Sequence, residues 1–371
     1  MKKPSHQRQR LKTLREKLAD LPCDTLWITQ PENRRYLSGF RAQDSQPNES
    51  SGSLLINRTR HVLVTDSRYT LEAEREAADF RVITVKGGLL EGLPRIIQDL
   101  GTERLGFEPE HVTWGLHRNL SKKLRGLSGR VRLTPINGLV EEMREIKDPS
   151  EITSMKKAAT LMSAILDEII KDMAPGHRER EIAWRIERLV REAGAEGLAF
   201  PSIVASGPNG ALPHAVPTSR RVRAGEPIVL DVGLKINGYC CDMTRTVFLG
   251  RPRKKFREIY RVVRRAQLAA LREVRPGVES TLPDSVARGT IREAGYGDYF
   301  GHSLGHGVGL ATHEGPRLAP EKPVKLREGM VVTVEPGIYV PGLGGVRLEE
   351  MVVVGKRGPR ILTVNDHFYD F

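Results

Sequence analysis

The chain has 371 residues, of which 39% are hydrophobic and 28% are charged, and its net charge is +13. This length suits two domains, and the composition is typical of a soluble globular protein. No stretch approaches the roughly 20 apolar residues that a membrane-spanning helix needs. The basic N-terminus also lacks the apolar stretch of a secretory signal. We therefore expect a cytoplasmic protein that does not enter a membrane.

Much of the positive charge lies in two segments, the first seventeen residues and 251–275. Such charge can indicate nucleic-acid binding. Neither segment carries a recognised nucleic-acid motif, so a solvated helix face is the better interpretation and nucleic acid is not an expected partner. The three cysteines, Cys23, Cys240 and Cys241, lack CxxC spacing and predict no disulfide framework.

Residues 1–146 alternate helical and strand patterns, which predicts an α/β domain. The helical patterns cover 5–19, 69–78, 89–100 and 111–127. The strand patterns cover 25–28, 35–40, 81–85, 104–107 and 131–135, with a hairpin formed by 53–57 and 61–66. No motif in this domain can be connected to a chemical reaction.

Residues 147–371 predict an α+β domain that opens with a helix cap. Asp148 can cap the first helix, Pro149 suits its first position, and Glu151 completes a capping box. The domain's helical patterns run to about 171 and over 178–193, 254–274 and 282–293, and its strand patterns cover 228–236, 239–249, 330–340 and 346–354. Two helices followed by a hairpin therefore occur twice. This order predicts two halves with their hairpins placed back to back around a central site.

The first hairpin brings two aspartates together. The Asn-Gly pair at 237–238 is a strong signal for a two-residue turn. With that turn, Asp231 faces Thr244 and Asp242 faces Gly233. Because side chains alternate along a strand, Asp231 and Asp242 share one face, with Cβ atoms roughly 7–8 Å apart or somewhat less. Carboxylates at that separation can reach two metal ions about 3.5–4 Å apart.

The second hairpin repeats this arrangement with two glutamates. If the loop at 341–345 is centred on its middle residue, Glu335 faces Met351 and Glu349 faces Gly337. Both glutamates then lie on one face, and alternation points Glu349 rather than Glu350 inward. A register shift of one residue would break this arrangement.

A histidine lies between the two hairpins in a glycine-rich segment at 301–309, where glycine allows close approach of the backbone. Each acid taken alone is typical of a strand edge or strand end, but two matched acidic pairs with a histidine between them favour a site. Isolated buried charges are disfavoured unless a cation compensates them. We therefore predict two divalent ions, with Mn²⁺ as the first choice and Co²⁺, Zn²⁺ or Fe²⁺ as alternatives. The predicted ligands are Asp231, Asp242, His306, Glu335 and Glu349.

With these residues the sequence resembles the pita-bread metallopeptidases, which include prolidase, aminopeptidase P and methionine aminopeptidase. The resemblance covers most of the chain. The region that contains Arg35-Tyr-Leu-Ser-Gly-Phe and Thr65-Asp-Ser-Arg-Tyr is similar to the creatinase-type N-terminal domain, which methionine aminopeptidases lack. The resemblance therefore favours the Xaa-Pro branch. The segments that match the family's metal motifs, in the family's order, are Leu230-Asp-Val-Gly, Asp242-Met-Thr-Arg-Thr, Gly305-His-Gly-Val-Gly, Val334-Glu-Pro-Gly-Ile-Tyr and Arg347-Leu-Glu-Glu.

The resemblance implies a creatinase-like domain at 1–146 and a pita-bread catalytic domain at 147–371 whose halves are related by a pseudo-two-fold axis. It makes Asp231, Asp242 and Glu349 carboxylate ligands and places His306 on one metal. Glu335 would be both a ligand and the carrier that moves a proton from the metal-bridging water to the leaving nitrogen.

Three further histidines fit the family's motifs. The resemblance makes His214, His302 and His313 substrate-binding and proton-shuttling groups, and His214 and His313 would stabilise the intermediate after hydroxide attacks the carbonyl. Thr244 and Thr333 lie two residues from acids on the same strand faces, so we expect them to orient ligands. For Arg347 the sequence leaves three roles open: binding a substrate carboxylate, bracing a ligand, or forming a simple salt bridge.

The implied activity is cleavage of Xaa-Pro bonds at peptide N-termini or in dipeptides, by an enzyme that is often a homodimer in this family. The sequence does not separate an aminopeptidase from a dipeptidase. One alternative is a creatinase-like or ectoine-hydrolase-like enzyme that acts on a small non-peptide C–N bond. Another is a non-catalytic binding protein of the same fold, with the basic helix near 253–275 contacting nucleic acid or a ribosome. The complete ligand set argues against the metal-free and non-catalytic alternatives.

Overall fold

The computed structural model describes residues 6–44, 46, 49–126 and 131–371. The chain divides into two compact units, Met1–Met143 and Arg144–Phe371, near the predicted boundary at 146–147. No helix among the described residues is long and apolar enough to span a membrane.

The N-terminal unit is an α/β domain built on one mixed sheet, as predicted. Its sheet has the strand order β4-β3-β2-β1-β5-β6. Strand β2 pairs with β1 and with β3, in both cases antiparallel. The pairs β3/β4, β1/β5 and β5/β6 are parallel. The strands are β1 (Thr25–Ile28), β2 (Ser53–Asn57), β3 (His61–Asp66), β4 (Arg81–Val85), β5 (Arg104–Phe107) and β6 (Arg132–Pro135). The helices are α1 (His6–Leu18), α2 (Pro31–Ser38), α3 (Thr70–Glu76), α4 (Leu89–Asp99), α5 (Trp114–Leu124) and α6 (Leu139–Glu145), which crosses the division between the units.

The predicted strand at 35–40 is wrong, because most of this segment lies in helix α2. Pro31 occupies the first turn of the helix, where its fixed φ is favourable. Gly39 ends the helix in the left-handed conformation at φ 83°. The apolar residues Tyr36 and Leu37 are buried, which made the segment resemble a strand. The predicted helices at 5–19 and 111–127 form over shorter ranges, and residues 5 and 127 lie outside the described part of the chain.

The C-terminal unit contains two helices followed by strands, twice over, as predicted. The helices are α7 (Pro149–Asp172), α8 (Glu179–Glu192), α9 (Lys254–Glu273) and α10 (Thr281–Glu293), with short 3-10 helices at Gly207–Ala211 and Gly297–Tyr299. The first half contains β7 (Gly197–Leu198), β8 (Ile203–Ser206), β9 (Pro227–Val232), β10 (Leu234–Ile236), β11 (Tyr239–Cys240) and β12 (Met243–Phe248). The second half contains β13 (Gly305–Gly307), β14 (Glu314–Leu318), β15 (Val331–Val334), β16 (Gly337–Val340), β17 (Gly344–Arg347), β18 (Glu350–Gly355) and β19 (Gly358–Ile361).

Local sequence accounts for the start of α7 and for the orientation of α9. The Asp148 side chain accepts hydrogen bonds from the backbone of Ser150 and Glu151, and Glu151 accepts one from the backbone of Asp148, which is the predicted capping box. Helix α9 buries Ile259 and Val263 in a core shared with α10 and with β15 and β18. Its exposed positions carry five of the ten basic residues of the 251–275 segment.

All four long strands predicted in this unit are interrupted, and each interruption lies at or beside a predicted site acid. The segment 228–236 breaks at Gly233, 239–249 at 241–242, 330–340 at 335–336 and 346–354 at 348–349. At Gly233 a Cβ atom would lie 2.3 Å from the carbonyl oxygen of Cys241, so only glycine fits at this position. Pro336 lacks the N–H that would continue the ladder.

The predicted register of the first hairpin is confirmed. Asp231 pairs with Thr244, and Lys235 pairs with Cys240 nearer the turn. The turn residues Asn237 and Gly238 both have positive φ, 52° and 79°, as a type I′ turn requires.

The predicted register of the second hairpin is wrong by two residues. Met351 pairs with Thr333 rather than with Glu335, and Gly337 pairs with Arg347 rather than with Glu349. Because Val340 pairs with Gly344, the turn is a three-residue loop centred on 342, where glycine has φ 74°. A shift of two preserves the alternation of side chains, so the expectation of a shared face survives the wrong pairing.

We expect Arg245 to be a main determinant of stability in this unit. It is fully buried, and it donates hydrogen bonds to the carbonyl oxygens of Glu349 and Asn365 and to the Glu350 carboxylate. Arg245→Met should lower the free energy of unfolding by about 3–5 kcal/mol, because it leaves the buried Glu350 carboxylate unpaired. Urea denaturation measures this. The control Arg265→Met, on the exposed face of α9, should stay within about 0.5 kcal/mol of the wild type. Equal stabilities for both variants would contradict this assignment.

Candidate metal centre and substrate cavity

A cavity of about 470 Å³ opens in the C-terminal unit where the interrupted strands meet. Residues from both halves line it. The structure brings every predicted site residue to this one cavity, and they are Asp231, Asp242, Glu335, Glu349, His214, His302, His306 and His313.

Three of the predicted ligands form a compact cluster. Asp242, His306 and Glu349 each offer a ligand atom, and these atoms lie within 4.8 Å of one another. The His306 Nε2 atom also lies 3.7 Å from Asp242 Oδ2 and 3.3 Å from Glu335 Oε1. The Asp231 carboxylate lines the same cavity, next to the buried Arg347. The arrangement is a set of four carboxylates around one imidazole.

The orientation of the His306 ring is set by its own backbone. His306 Nδ1 lies 3.0 Å from the carbonyl oxygen of Gly307. A carbonyl can only accept a hydrogen bond, so Nδ1 carries the proton and Nε2 faces the carboxylates. The flanking glycines permit this geometry, since a Cβ at Gly305 would lie 2.0 Å from the carbonyl oxygen of Thr333.

The electrostatics of the cluster show uncompensated negative charge. Burial, together with the neighbouring carboxylates, raises the pKa of Asp242 and of Glu349 well above the ordinary value. Burial also raises the pKa of Asp231, although the Arg347 guanidinium opposes this shift. Glu335 differs: burial would raise its pKa, but the hydrogen bond from His306 and the positive charges of His306, His302 and Arg347 together lower it to about 2.

The donor set fits divalent cations. Asp231 Oδ1 and Glu349 Oε1 are buried oxygens with no hydrogen-bond partner among the described residues. Buried polar atoms are normally satisfied, so these two carboxylate oxygens indicate a missing partner. Oxygen ligands with one imidazole suit Mn²⁺ and related ions, and a cation there would offset the repulsion between the carboxylates.

Two threonines orient the carboxylates, as the strand parity predicts. Thr244 Oγ1 donates to Glu349 Oε2 at 2.8 Å, so it contacts a ligand of the other hairpin rather than Asp242. Thr333 Oγ1 donates to Glu335 Oε1 at 3.1 Å and accepts from the backbone of His306. Each hydroxyl therefore fixes one rotamer of a cavity glutamate.

Of the three roles left open for Arg347, the structure shows the bracing contact. Its guanidinium is buried and donates to Asp231 Oδ2 at 2.6 Å. It also donates to the Tyr339 hydroxyl at 2.9 Å and to the carbonyl oxygen of Pro213 at 3.1 Å. These bonds tie the second hairpin to the first hairpin and to the loop that carries His214.

The three further histidines occupy two kinds of environment. His302 is mostly buried, and its Nε2 lies 2.9 Å from the Tyr339 hydroxyl. Burial lowers the pKa of His302 and of His313. His214 and His313 are exposed at the rim, and the His313 ring lies 4.3 Å from the His306 ring. The two exposed imidazoles are therefore accessible to a ligand in the cavity.

A buried acid holds the loop that carries His313. The Glu314 carboxylate accepts hydrogen bonds from Arg144, from Lys147 at 3.2 Å and from the backbone of Ala311 at 2.9 Å. Burial alone would raise the pKa of Glu314, but Lys147 and Arg144 outweigh it and lower the pKa.

Sequence reasoning missed Arg317, which lines the cavity, and Tyr339, which contacts two of the lining residues. Arg317 lines the cavity as the cross-strand neighbour of His306, but a register irregularity after His306 hides this from the sequence. Tyr339 bonds His302 and Arg347, and it lies four residues after Glu335 on the same side of the alternation. Strand parity could have identified Tyr339.

Family models match both units. The model described as Metallopeptidase family M24 matches residues 153–356, and the one described as Creatinase/Prolidase N-terminal domain matches residues 10–146. The chain therefore belongs to metallopeptidase family M24, in the branch of prolidases and Xaa-Pro aminopeptidases, with the pita-bread fold in its C-terminal unit. It is a hydrolase of a family that uses divalent metal ions.

Individual members of the family are similar to this chain over nearly its whole length. An Xaa-Pro dipeptidase of Pyrococcus furiosus is 36% identical over 96% of this chain and 98% of its own length. The solved structure of an Xaa-Pro dipeptidase from Bacillus anthracis is 35% identical, covers 96% of this chain and 97% of that chain, and has a TM-score of 0.90. The solved structure of an X-Pro aminopeptidase from Thermotoga maritima MSB8 is 39% identical, covers 96% of this chain and 97% of that chain, and has a TM-score of 0.84.

The adjacent acids Glu349 and Glu350 allow a matched test of metal binding. Glu349 lines the cavity, whereas Glu350 pairs with Arg245 at 3.3 Å. We expect Glu349→Gln to lower bound Mn²⁺ per chain and Glu350→Gln to leave it unchanged, when dialysed protein is measured by elemental analysis. Wild-type protein should also gain about 2.7 kcal/mol of stability at a Mn²⁺ concentration 100 times the Kd. Retention of full metal content by Glu349→Gln would remove that residue from the ligand set.

The Glu314 contacts predict a pH-dependent stability. The pKa of Glu314 is lower in the folded protein than its ordinary value. The stability that Glu314 contributes is therefore fully present at pH values above the ordinary pKa, and it is lost as the pH falls through the folded pKa. Glu314→Gln should therefore lose about 3–5 kcal/mol relative to the wild type at pH 7. The difference should shrink as the pH is lowered below about 4. Urea titrations at several pH values measure it, and a difference that does not change with pH would contradict the assignment.

Proposed function

We propose that this protein is a dinuclear-metal peptidase that hydrolyses Xaa-Pro bonds. The observation that carries the proposal is the buried carboxylate cluster, with two unsatisfied oxygens beside an imidazole, in a cavity with exposed histidines at its rim. The proposed ligands are Asp231, Asp242, His306, Glu335 and Glu349. Mn²⁺ is the proposed metal, since oxygen ligands dominate the set.

Divalent ions held by these ligands would supply a water of lowered pKa as the nucleophile and would polarise the scissile carbonyl. Glu335 is the proposed proton carrier, because its carboxylate lines the cavity beside the other proposed ligands and can accept a proton at Oε1 or Oε2. The proton is then delivered to the leaving nitrogen. An amide nitrogen of proline is tertiary, so its departure depends strongly on protonation.

The rim histidines are placed to hold the developing negative charge. His214 and His313 are exposed at the cavity, and we propose that they donate hydrogen bonds to the carbonyl oxygen as it becomes anionic. His302 is already engaged by Tyr339, so we propose that it acts with that hydroxyl rather than directly on the substrate.

The walls of the cavity support a short, partly apolar substrate. Phe200, Ile203 and Val216 form an apolar side that suits a proline ring or a small side chain. Arg317 supplies a cation that suits a carboxylate, which favours dipeptides. The similar proteins are named both dipeptidase and aminopeptidase, so a test of substrate length is needed. From the family resemblance we also propose a cytoplasmic location and a homodimeric assembly. Sedimentation in solution would test the dimer.

Substitution of Glu335 tests the mechanism. Glu335→Gln should lower kcat about 100- to 10,000-fold, as expected when a general acid–base group is lost. Metal content is measured in parallel, so that a lost ligand is distinguished from a lost proton carrier. Chelation of the wild-type protein should abolish turnover, and added Mn²⁺ should restore it. Full turnover by thoroughly demetallated protein would overturn the proposal.

A substrate panel tests the specificity. Xaa-Pro dipeptides, Xaa-Pro-Yaa peptides, Met-Ala peptides and creatine are compared with Mn²⁺ present. We expect Xaa-Pro substrates to be cleaved, and Arg317→Ala to raise KM for dipeptides more than for Xaa-Pro-Yaa peptides. An equal effect on both lengths would remove Arg317 from carboxylate binding. Hydrolysis of creatine without Xaa-Pro cleavage would support the non-peptide alternative.

A further inference from the structure

A buried carboxylate behind the cavity joins the two ends of the loop that carries His214. Glu179, the first residue of α8, is fully buried at 0% exposure. The described residues that line the cavity include His214 but not Glu179. Any effect of Glu179 on the site must therefore be indirect.

The Glu179 carboxylate accepts five hydrogen bonds from the loop. Its Oε1 atom accepts from the backbone N–H of Ser206 at 2.7 Å and from the Ser206 hydroxyl at 2.8 Å. Its Oε2 atom accepts from the Thr218 N–H at 3.0 Å, the Thr218 hydroxyl at 2.6 Å and the Asn209 amide at 2.8 Å. One side chain thus fixes the first and the last residue of the segment 206–218.

Apolar packing holds little of the outer part of this loop, because Ala215 is buried with Ala205 and Val229 but the larger apolar side chains are exposed. Leu212 is 59% exposed and Val216 is 77% exposed, and these two side chains flank His214. The loop is otherwise fastened by backbone contacts. Arg347 donates to the Pro213 carbonyl oxygen, and Gly210 lies so close to Gly345 that a Cβ on Gly345 would be 1.9 Å from the Gly210 oxygen. The position of His214 therefore depends on polar anchors.

The second half of the unit contains a comparable anchor. Asp284, in the first turn of α10, accepts a hydrogen bond from the backbone of Leu304 and pairs with Arg288. Arg288 in turn donates to the carbonyl oxygen of His302 at 2.8 Å. In both halves, an acid at the start of the second helix holds a segment that supplies a cavity histidine.

We propose that Glu179 is a positioning residue for His214, acting through the geometry of the 206–218 loop. This inference rests on the proposed function, since it assumes that His214 contributes to turnover. The negative charge matters because every one of its five partners is a donor, and an ionised carboxylate accepts without donating. A glutamine amide in its place would point its own NH₂ donor at the donor groups at one end of the loop.

A double-mutant cycle tests the inference. Turnover of an Xaa-Pro dipeptide with Mn²⁺ is measured for the wild type, Glu179→Gln, His214→Ala and the double variant. Glu179→Gln should lower kcat about 10- to 100-fold, the range expected for a displaced group, and should change KM much less. Glu179→Gln should have little further effect in the His214→Ala background, because the two residues then act as one unit. Equal losses in both backgrounds would overturn the proposal, as would an unchanged kcat.

A second readout does not depend on activity. Hydrogen exchange of peptides covering 207–218 should become faster in Glu179→Gln, while exchange of peptides covering 305–318 and the bound Mn²⁺ should stay at wild-type values. The matched control is Glu151→Gln, which replaces another buried acid that caps α7 and bonds Tyr239. It should leave exchange of the 207–218 peptides unchanged. Unchanged exchange of the loop in Glu179→Gln would also contradict the proposal.

A milder variant covers the case in which Glu179→Gln fails to fold. Thr218→Val removes a hydroxyl that donates to Glu179 at 2.6 Å and accepts from the Asn209 amide and the Arg220 N–H, each at 3.1 Å, but it keeps the Thr218 N–H bond to Glu179. Thr218 is exposed, so the fold should tolerate the change. It should give a smaller loss of kcat that again disappears in the His214→Ala background. If wild-type protein does not cleave any Xaa-Pro peptide, the proposed function itself fails. If the wild type cleaves them and the variants match it, only the positioning role fails.

Discussion

Mutual repulsion of four buried carboxylates is the constraint around which the C-terminal unit is organised. Two unit charges 4 Å apart interact by about 4 kcal/mol at an effective dielectric constant of 20. The raised pKa values of Asp242 and Glu349 express this repulsion together with the burial of both groups. The protein's own cations compensate only part of it, since Arg347 contacts Asp231 alone among these acids. The remaining charge is what makes the cluster suited to divalent ions.

The interruptions in the strands solve the geometric side of the same problem. In a regular ladder, the backbone N–H and C=O groups of an acidic residue would form hydrogen bonds with the neighbouring strands. At the interruptions these groups instead reach other segments: the Glu335 N–H donates to the Leu304 carbonyl oxygen, and the Glu349 N–H donates to that of Thr244. Because Thr244 belongs to the first hairpin and Glu349 to the second, this bond and the Thr244 hydroxyl contact join the two halves at the metal centre.

Sequence reasoning predicted the parts of this site that depend on strand alternation. The Asn-Gly turn defined the register of the first hairpin, and alternation alone placed Glu335 and Glu349 on one face even though their cross-strand partners were wrong. The error arose because a five-residue turn and a three-residue turn suit the same glycine-rich sequence, and the tighter turn forms here with Gly342 at φ 74°.

Other features depend on contacts between distant segments, which periodicity does not encode. The strand interruptions, the Arg317 position and the Glu179 anchor all arise from tertiary packing. The helix at Pro31–Ser38 was misassigned for a different reason, since its short apolar pattern suits a strand equally well and only the proline before it and the glycine after it mark its ends. The family motifs supplied the chemistry that periodicity could not supply.

The backbone contact between Gly210 and Gly345 has a consequence for how substrate would reach the proposed metal site. Strand β17 contains Gly345 and ends at Arg347, two residues before Glu349, so the loop and this part of the metal centre touch without an intervening side chain. A hinged swing of the loop would have to open that contact and break the Arg347 bond to Pro213. This wall of the cavity is therefore held by contacts within the chain itself, and it presents His214 without help from a substrate contact.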